Sequence, residues 1–238
     1  GDAVSALAAF EQAHMLSLQE DNTRSLIAEA RIALDQPEHA RTLLTRSADH
    51  SSRTLLALAR AQSASGDFIM AEETACQAID GAADRETLLG CAQVLSDSGA
   101  ASAAAHALGQ AVNLLPPSSR ILSWQSRELM RCGKLVEARE AAYEAVALNP
   151  DAVEARVTLG QALSRSISSV EQENEQALVQ WKRAVELDPE YAPSLIGFAK
   201  CALEIDKPRQ ARELAEKILR SRQAGDISQE ETDFIGEA

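Results

Sequence analysis

Apolar residues recur along the chain in short stripes, and polar corners separate the stripes at a nearly constant interval. Seven hexapeptides end in an alanine that opens such a stripe, and six of them begin with glycine or aspartate; the alanines are Ala6, Ala40, Ala71, Ala104, Ala138, Ala177 and Ala211. Successive alanines are 34, 31, 33, 34, 39 and 34 residues apart. Self-similarity at a fixed period of this length is typical of a repeat architecture.

A helix is predicted on each side of a corner. After the corner alanine, further apolar residues often follow four and seven positions later, as in the pairs Leu108 and Ala111, Ala142 and Ala145, Trp181 and Ala184. That spacing places small residues along one face of an α-helix. Before the corner, the preceding helix carries a stripe of its own, such as Leu55, Leu58, Ala59 and Gln62. Each repeat is therefore predicted to contain two helices.

The corner residues suit a turn between two helices. Gly66, Gly99 and Gly133 are free to adopt the left-handed conformation that ends a helix. Pro37 and Pro208 lie where the first turn of the next helix begins, a position that needs no backbone N–H. The corners are therefore predicted to be tight helix-turn-helix connections.

The residues of the fifth repeat resemble the tetratricopeptide repeat (TPR) family. Its small-residue pattern is matched by Leu159-Gly160 with Leu163, by Ala177 four positions before Trp181, and by Pro189 at the end of the repeat. Other repeats match more loosely, with Leu58-Ala59, Cys91-Ala92, Gln125-Ser126 and Phe198-Ala199 in place of the Leu-Gly pair and with Pro116 and Pro150 at repeat ends. The resemblance implies an all-α, right-handed superhelical solenoid of antiparallel helix pairs.

Counting from the corners divides the chain into about six full repeats within one solenoid domain, residues 1–238. The repeats are predicted to start near residues 21, 52, 85, 119, 153 and 192. A lone second helix is expected over residues 2–16 and a partial first helix over 228–238, where Ser228 and Glu231 form a capping-box pattern. The alternative for this tail is an acidic disordered segment. These half repeats suggest a piece excised from a longer array.

The interval of 39 residues marks an insertion at the corner formed by residues 166–172, in the segment SRSISSVEQENEQALVQW. Loop closure depends weakly on loop length, so extra residues at a corner cost little. Ser168 and Glu171 could form a capping box that starts the second helix about one turn early. The favoured hypothesis is a lengthened corner with a local structural role, and the alternative is a protruding acidic contact for a partner.

Composition narrows the function classes. The chain has 238 residues, 45% hydrophobic and only 3% aromatic, which favours helix over sheet. A formal charge of −13 argues against nucleic acid as the main ligand. No apolar run approaches the roughly 18 to 20 residues that span a bilayer. The four cysteines are dispersed, form no CxxC pair and are predicted to be buried small residues. They indicate a reducing compartment, so the cytoplasm is the expected location. The periplasm is the alternative if a signal peptide has been removed.

No pattern for catalysis, metal or cofactor binding is found. His14, His39, His50 and His106 have no carboxylate or cysteine at metal-ligand spacing. The Gly133-Lys134 pair lacks the glycine that a P-loop requires five positions earlier. GxSxG, HExxH and GxGxxG are absent. We therefore expect a protein that is not an enzyme and that needs no cofactor.

The resemblance implies that the first helices of successive repeats line a groove for an extended peptide or a partner helix. The candidate partner-binding residues at groove positions are Arg60, Gln93, Arg127, Arg131, Gln161, Arg165 and Lys200. From the third repeat onward the groove is expected to be locally basic, so an acidic protein or peptide is the expected partner, and a solvated helix face is the alternative. Trp124 is either a core residue or a groove anchor.

The function predicted from the sequence is a protein-interaction scaffold, with the oligomeric state left open. Two alternatives come from other classes: a regulatory or substrate-recognition domain of a larger enzyme of the glycosyltransferase or sulfotransferase type, and a component of a bacterial envelope or polysaccharide-export assembly. A catalytic domain elsewhere in the native gene product would favour the first alternative, and a secretion signal would favour the second.

Overall fold

Helices account for all of the regular secondary structure in the described part of this computed structural model. The structure describes residues 20–47, 50–114, 116–165 and 171–205, together with residues 4, 5, 8, 9, 11, 12, 209, 212 and 216. Within the four long ranges lie eleven helices and no strand. None of these helices has the length and apolar character needed to cross a membrane.

The first compact unit, residues 1–116, contains three helix pairs. The helices are α1 (Glu20–Ala33), α2 (Pro37–Thr45), α3 (Ser52–Ala64), α4 (Phe68–Asp80), α5 (Arg85–Asp97) and α6 (Ala101–Asn113). Every helix contacts the next one along the chain, and α3 also contacts both α1 and α5. First helices therefore pack on the first helices of neighbouring repeats within this unit.

The second compact unit, residues 117–238, repeats this arrangement. Its helices are α7 (Ser119–Arg131), α8 (Leu135–Leu148), α9 (Val153–Ser164), α10 (Glu171–Leu187) and α11 (Ala192–Glu204). Helix α9 contacts α7 and α11 as well as its sequence neighbours α8 and α10. The predicted all-α repeat of helix pairs is confirmed; one continuous solenoid over residues 1–238 stays a prediction.

Several sequence predictions fall wholly or partly outside the described residues. Six residues of the lone second helix expected over 2–16 are described, and all six are helical. The remaining residues of that helix, the partial helix over 228–238, Pro208 and Ser168 lie outside the described part.

The glycine corners have the predicted left-handed backbone. The φ angles are +82° at Gly66, +86° at Gly99 and +80° at Gly133. After α7, the backbone N–H of Lys134 donates to the carbonyl of Leu129 at 2.9 Å, the long-range bond of a Schellman helix end. Asp35 takes the same role after α1 with φ +60°. The chain can therefore reverse within three or four residues.

Small residues line the contact between the two helices of a repeat. The corner alanines on the second helices are fully buried; they are Ala40, Ala71, Ala104, Ala138 and Ala177. The small positions on the first helices are also buried; they are Ala59, Ala92, Ser126, Gly160 and Ala199. In the fourth repeat the Ser126 hydroxyl donates to the carbonyl oxygen of Ala138 at 2.6 Å, which requires the backbones of α7 and α8 to lie close together.

The stripe predicted for α3 includes only part of the residues that this helix buries. Ala59 and Gln62 are buried, but Leu55 and Leu58 are half-buried. The residues buried besides the predicted ones include Leu56, Ala57 and Ala61. A single amphipathic stripe underestimates burial here because α3 packs on four helices, α1, α2, α4 and α5, and so buries more than one face.

The prediction that all four cysteines are buried holds for two of them. Cys91 and Cys201 are buried, and all four thiols are free. Cys76 and Cys132 are half-buried. Burial raises the pKa of the Cys91 thiol to about 12, and burial with smaller contributions from Glu72 and Asp80 raises the pKa of Cys76.

The insertion lengthens α10. This helix has 17 residues and begins six positions before Ala177, whereas α8 begins three positions before Ala138. Glu173 in its first turn accepts from Arg139 of α8 at 3.0 Å. The early start agrees with the lengthened corner, and Glu173 is a half-buried partner of α8 and not a protruding acid.

The left-handed corners generate a first prediction. A Cβ at Gly133 would meet no atom within 4 Å, so alanine there costs only backbone strain. We expect Gly133→Ala to lower the free energy of unfolding by about 1 kcal/mol. Gly133→Asn should lower it less, because asparagine tolerates positive φ. Urea denaturation measures both; equal losses would contradict the backbone explanation.

The small-residue contact generates a second prediction. We expect Ala138→Leu to lower the free energy of unfolding by ~1–3 kcal/mol, since the larger side chain must separate α7 from α8. Ala147→Leu on the exposed face of the same helix is the matched control and should change stability little. Both are measured by chemical denaturation. A similar effect of the two substitutions would show that close approach at Ala138 is unimportant.

Thiol accessibility generates a third prediction. The raised pKa of Cys91 leaves little thiolate at neutral pH, and its side chain is shielded from solvent. With Ellman's reagent at pH 7.5, we expect the half-buried Cys132 to react in the native protein and Cys91 to react only on unfolding. Peptide mass spectrometry identifies the labelled residue. In guanidinium chloride all four cysteines should react, which shows that the reagent is active. Labelling of Cys91 in the native protein would contradict its burial.

Candidate functional site

Three of the seven predicted partner-binding residues are engaged within the protein. Arg60 pairs with Glu29 at 2.9 Å, and the Gln93 amide donates to Asp97 at 2.8 Å. Arg131 pairs at 2.9 Å with Glu128, whose side chain is only 4% exposed. The Arg131 pair neutralises a buried carboxylate, which is a structural role that the sequence pattern did not indicate.

Arg60 is held by more than its ion pair. A Cβ at Gly90 would lie 2.8 Å from Arg60 Nη2 and 2.6 Å from Leu56 Cδ2. The glycine on α5 thus leaves the space that the side chains of α3 occupy. In the first unit, Arg60 is therefore part of the packing between neighbouring first helices.

In the second unit, three predicted residues line one pocket between α9 and α11. The pocket has a volume of about 370 Å³. Its lining residues are Gln161, Ser164, Arg165, Trp181, Pro193, Ile196, Gly197, Lys200, Cys201 and Glu204. Gln161, Arg165 and Lys200 are therefore brought together as neighbours, whereas Arg127 and Arg131 do not line this pocket.

Helical periodicity explains why these residues converge. On α11, Pro193, Gly197, Lys200 and Glu204 are three or four positions apart and so share one face. On α9, Gln161 and Arg165 are one turn apart. Arg165 follows the last helical residue, and its backbone N–H donates to the carbonyl of Gln161 at 3.2 Å. A guanidinium at this helix C-terminus is favoured by the helix dipole.

The floor of the pocket is the indole ring of Trp181, which comes from α10. A Cβ at Gly160 would lie 2.7 Å from Trp181 Cε2, and a Cβ at Gly197 would overlap the six-membered ring. The ring is 3% exposed, and its Nε1 has no hydrogen-bond partner among the described residues. Two glycines on α9 and α11 therefore make the room that the tryptophan fills.

Positive charge predominates among the lining residues that the structure describes. Arg165 and Lys200 contribute two cations, and Glu204 contributes one carboxylate. Both cationic side chains are exposed. The Arg165 guanidinium forms no hydrogen bond or ion pair with any side chain that the structure describes. A carboxylate entering the pocket would find a guanidinium whose N–H groups are available.

Arg127 lies outside this pocket and interacts electrostatically with Tyr191 of the same unit. Burial raises the pKa of the Tyr191 hydroxyl, Glu154 raises it further, and Arg127 acts in the opposite direction. Tyr191 immediately precedes α11 and is half-buried. Arg127 is thus electrostatically coupled to the start of α11, although it is not part of the pocket.

Sequence reasoning missed most of the apolar wall of this pocket. Pro193, Ile196 and Gly197 were not singled out, and Trp181 was noted only as a repeat-motif residue. Gly197 carried the available signal, since a glycine inside an apolar helix often marks a close approach. Trp124 is half-buried, and therefore corresponds to neither a fully buried core residue nor an open anchor.

Metal ligation has no support in the described part of the chain. There, no group of three or more histidine, cysteine, aspartate or glutamate side chains could hold a metal ion. His39, His50 and His106 are exposed, and His14 lies outside the described residues.

Comparison with solved structures identifies the fold. MamA from Desulfovibrio magneticus RS-1, residues 41 to the end, superposes with a TM-score of 0.59 at 18% identity, covering 74% of this chain and 97% of that chain. The C-terminal part of a TPR repeat-containing protein from Cytophaga hutchinsonii gives a TM-score of 0.66 at 11% identity, covering 98% and 94%. YrrB gives 0.55 at 17% identity, covering 78% and 94%.

These similarities lie below 25% identity and concern the fold alone. No protein-family model matches the chain, and no curated protein matches it either. The solved structures nevertheless include several TPR proteins, which confirms the resemblance found in the sequence. The chain has the helix-pair repeat fold of TPR proteins.

Proposed function

We propose that the chain is a non-catalytic scaffold that binds an acidic peptide segment or helix of a partner protein. The binding surface is formed by the first helices of the second unit and is centred on the pocket between α9 and α11. One observation carries this proposal: Gln161, Arg165 and Lys200 line a single pocket in a chain with a net charge of −13.

The chemistry of the pocket favours a carboxylate attached to an apolar body. Arg165 can donate two parallel hydrogen bonds to a carboxylate, and Lys200 adds a second positive charge. Ile196 and the covered face of Trp181 give the pocket an apolar side. Pockets that combine an apolar wall with a few charged groups are typical of ligand sites.

The fold supports a scaffold role because repeats of this kind present an extended surface. YrrB, one of the similar structures, is described as a TPR protein with an unusual peptide-binding site. That description concerns YrrB, and it motivates a search for peptides here. The enzyme-linked and envelope-assembly alternatives remain hypotheses that the described residues neither favour nor oppose.

A peptide-display experiment tests the proposal. We expect selection of a random peptide library on the purified chain to enrich peptides that carry aspartate or glutamate. Affinity of a synthetic selected peptide is then measured by fluorescence anisotropy. Arg165→Glu should weaken binding by tenfold or more, because it replaces a charge-assisted hydrogen bond with repulsion, worth roughly 1.4 kcal/mol or more.

Lys182→Glu on the exposed face of α10 is the matched control, since it changes the net charge equally but does not line the pocket. Its affinity should remain close to that of the unchanged protein. Melting temperatures of both variants should also stay unchanged. Failure to enrich any peptide, or equal weakening by the two substitutions, would refute the proposed site.

A further inference from the structure

Helix α4 of the first unit begins with three large apolar side chains that are exposed to solvent. The exposed fractions are 48% for Phe68, 75% for Ile69 and 44% for Met70. Asp67 caps the helix by accepting from the backbone N–H of Met70 at 3.4 Å, so these residues form its first turn. A contiguous exposed apolar patch of this kind typically marks an interaction site.

The fold does not require large apolar residues at these positions, which are the three before the corner alanine of α4. In α2, α6 and α10 none of the equivalent residues is large and apolar; they are Pro37, Glu38 and His39, then Ala101, Ser102 and Ala103, and finally Asn174, Glu175 and Gln176. Helix α8 has two such residues, Leu135 and Val136, of which Val136 is exposed. Packing within the repeat therefore does not account for the apolar turn of α4.

The exposed side of α4 is acidic beyond its first turn. Glu72 and Glu73 lie one turn after the apolar residues, and Asp80 lies two turns further on. All three carboxylates are exposed, and none forms a hydrogen bond or ion pair with the described part of the chain. Helix α4 and its cap contain no lysine, arginine or histidine. The α4 patch is defined here as Phe68, Ile69, Met70, Glu72, Glu73 and Asp80.

The arginines of the helices that contact α4 do not pair with these carboxylates. Helices α3 and α5 contact α4 and hold three arginines between them, Arg53, Arg60 and Arg85. These interact instead with Asp84, Glu29 and the main-chain carbonyl of Ala111, respectively. Arg41 of α2 lies 3.8 Å from the capping Asp67 and 2.8 Å from Glu38. The carboxylates of the α4 patch are therefore open to cations from another molecule.

We propose that the α4 patch docks a basic amphipathic helix of a partner protein. The apolar side chains of that helix cover the first turn of α4, and its lysine or arginine side chains pair with the three carboxylates. From Ile69 to Asp80 the patch extends about 16 Å along α4, which matches three turns of a docked helix. Apolar burial supplies the affinity, and complementary charge selects the partner and speeds association.

The charge of the α4 patch argues against other occupants. A second copy of this chain would place the same carboxylates opposite one another and would add a second formal charge of −13. Like charges brought together at an interface oppose association. An anionic lipid surface or a nucleic acid is repelled for the same reason. A cationic helix with an apolar face satisfies both halves of the patch.

This site goes beyond the proposed peptide pocket. Helix α4 belongs to the first unit and the pocket to the second, and they share no residue. The two sites also require ligands of opposite charge. A failure of one proposal would therefore leave the other standing.

Fluorescence anisotropy with designed peptides tests the docking. The probe is a labelled peptide of about 18 residues, five helical turns, with leucines on one face and lysines on the other. The comparison peptides are a scrambled peptide of the same composition and one in which glutamate replaces lysine. We expect the leucine-lysine peptide to bind the full chain with a dissociation constant below about 100 µM, and the comparison peptides to bind at least about tenfold more weakly.

Substitutions assign the binding to α4. Ile69→Ser changes a side chain that is largely exposed, so it should weaken the leucine-lysine peptide at least about fivefold without altering the circular dichroism spectrum. Glu73→Gln should weaken it about twofold to fivefold, and high salt should remove this difference. The matched controls are Val179→Ser and Glu175→Gln, which change exposed residues of α10 and should leave the affinity unchanged.

The outcomes separate the possible occupants. Weakening confined to the two α4 variants would support the proposal. No binding of the leucine-lysine peptide, equal binding of the scrambled peptide, or equal weakening by Val179→Ser would overturn it. Sedimentation velocity and phosphatidylglycerol vesicles test the rival occupants. A dimer that Ile69→Ser dissociates would identify a second copy, and vesicle binding that this variant loses would identify a lipid surface; either result would overturn the proposal.

Discussion

The close approach of two helices at each corner is the constraint on which this fold depends. A hydroxyl on α7 reaches a backbone carbonyl on α8 in the Ser126–Ala138 hydrogen bond of 2.6 Å, so little side-chain volume fits between these helices. Alanine, serine or glycine is therefore required at the facing positions, and the five corner alanines that the structure describes are completely buried. The high alanine content and the short corners both follow, because larger residues would separate the helices and lengthen the turns.

The same constraint shapes the pocket of the second unit. Trp181 occupies a position that a corner stripe elsewhere fills with alanine or leucine, as at Ala75 and Leu108. The indole fits because Gly160 on α9 and Gly197 on α11 have no side chains. The glycine on α11 also leaves a gap above the ring, so the exposed ends of Arg165 and Lys200 surround an apolar floor. The residues that accommodate Trp181 therefore also form the candidate binding site.

Sequence reasoning identified the features that depend on local chemistry and period. The left-handed glycines at the corners, Pro37 in the first turn of α2 and the buried stripe of Trp181 and Ala184 are all found. The sequence did not indicate which polar residues form ion pairs or hydrogen bonds within the protein. Arg60 and Glu29 are 31 residues apart, so their ion pair depends on the register of two first helices, which spacing within one repeat does not contain. The burial of Leu56 was not predicted for a related reason, since neighbouring repeats bury a second face of α3.

The net charge of the chain acts against the positive charge of the pocket in the second unit. A chain with a formal charge of −13 repels a uniformly acidic partner, and this repulsion is screened over about 8–10 Å at physiological ionic strength. Inside that distance, the guanidinium groups of a pocket dominate the local field because they donate directly to the ligand. Under the proposed function, this charge distribution suits a short acidic segment within a partner that is otherwise basic. Under the proposed function, a basic partner would be attracted by the acidic surface at long range, and its acidic segment would be bound by Arg165 at contact, so that specificity would come from two opposite electrostatic requirements.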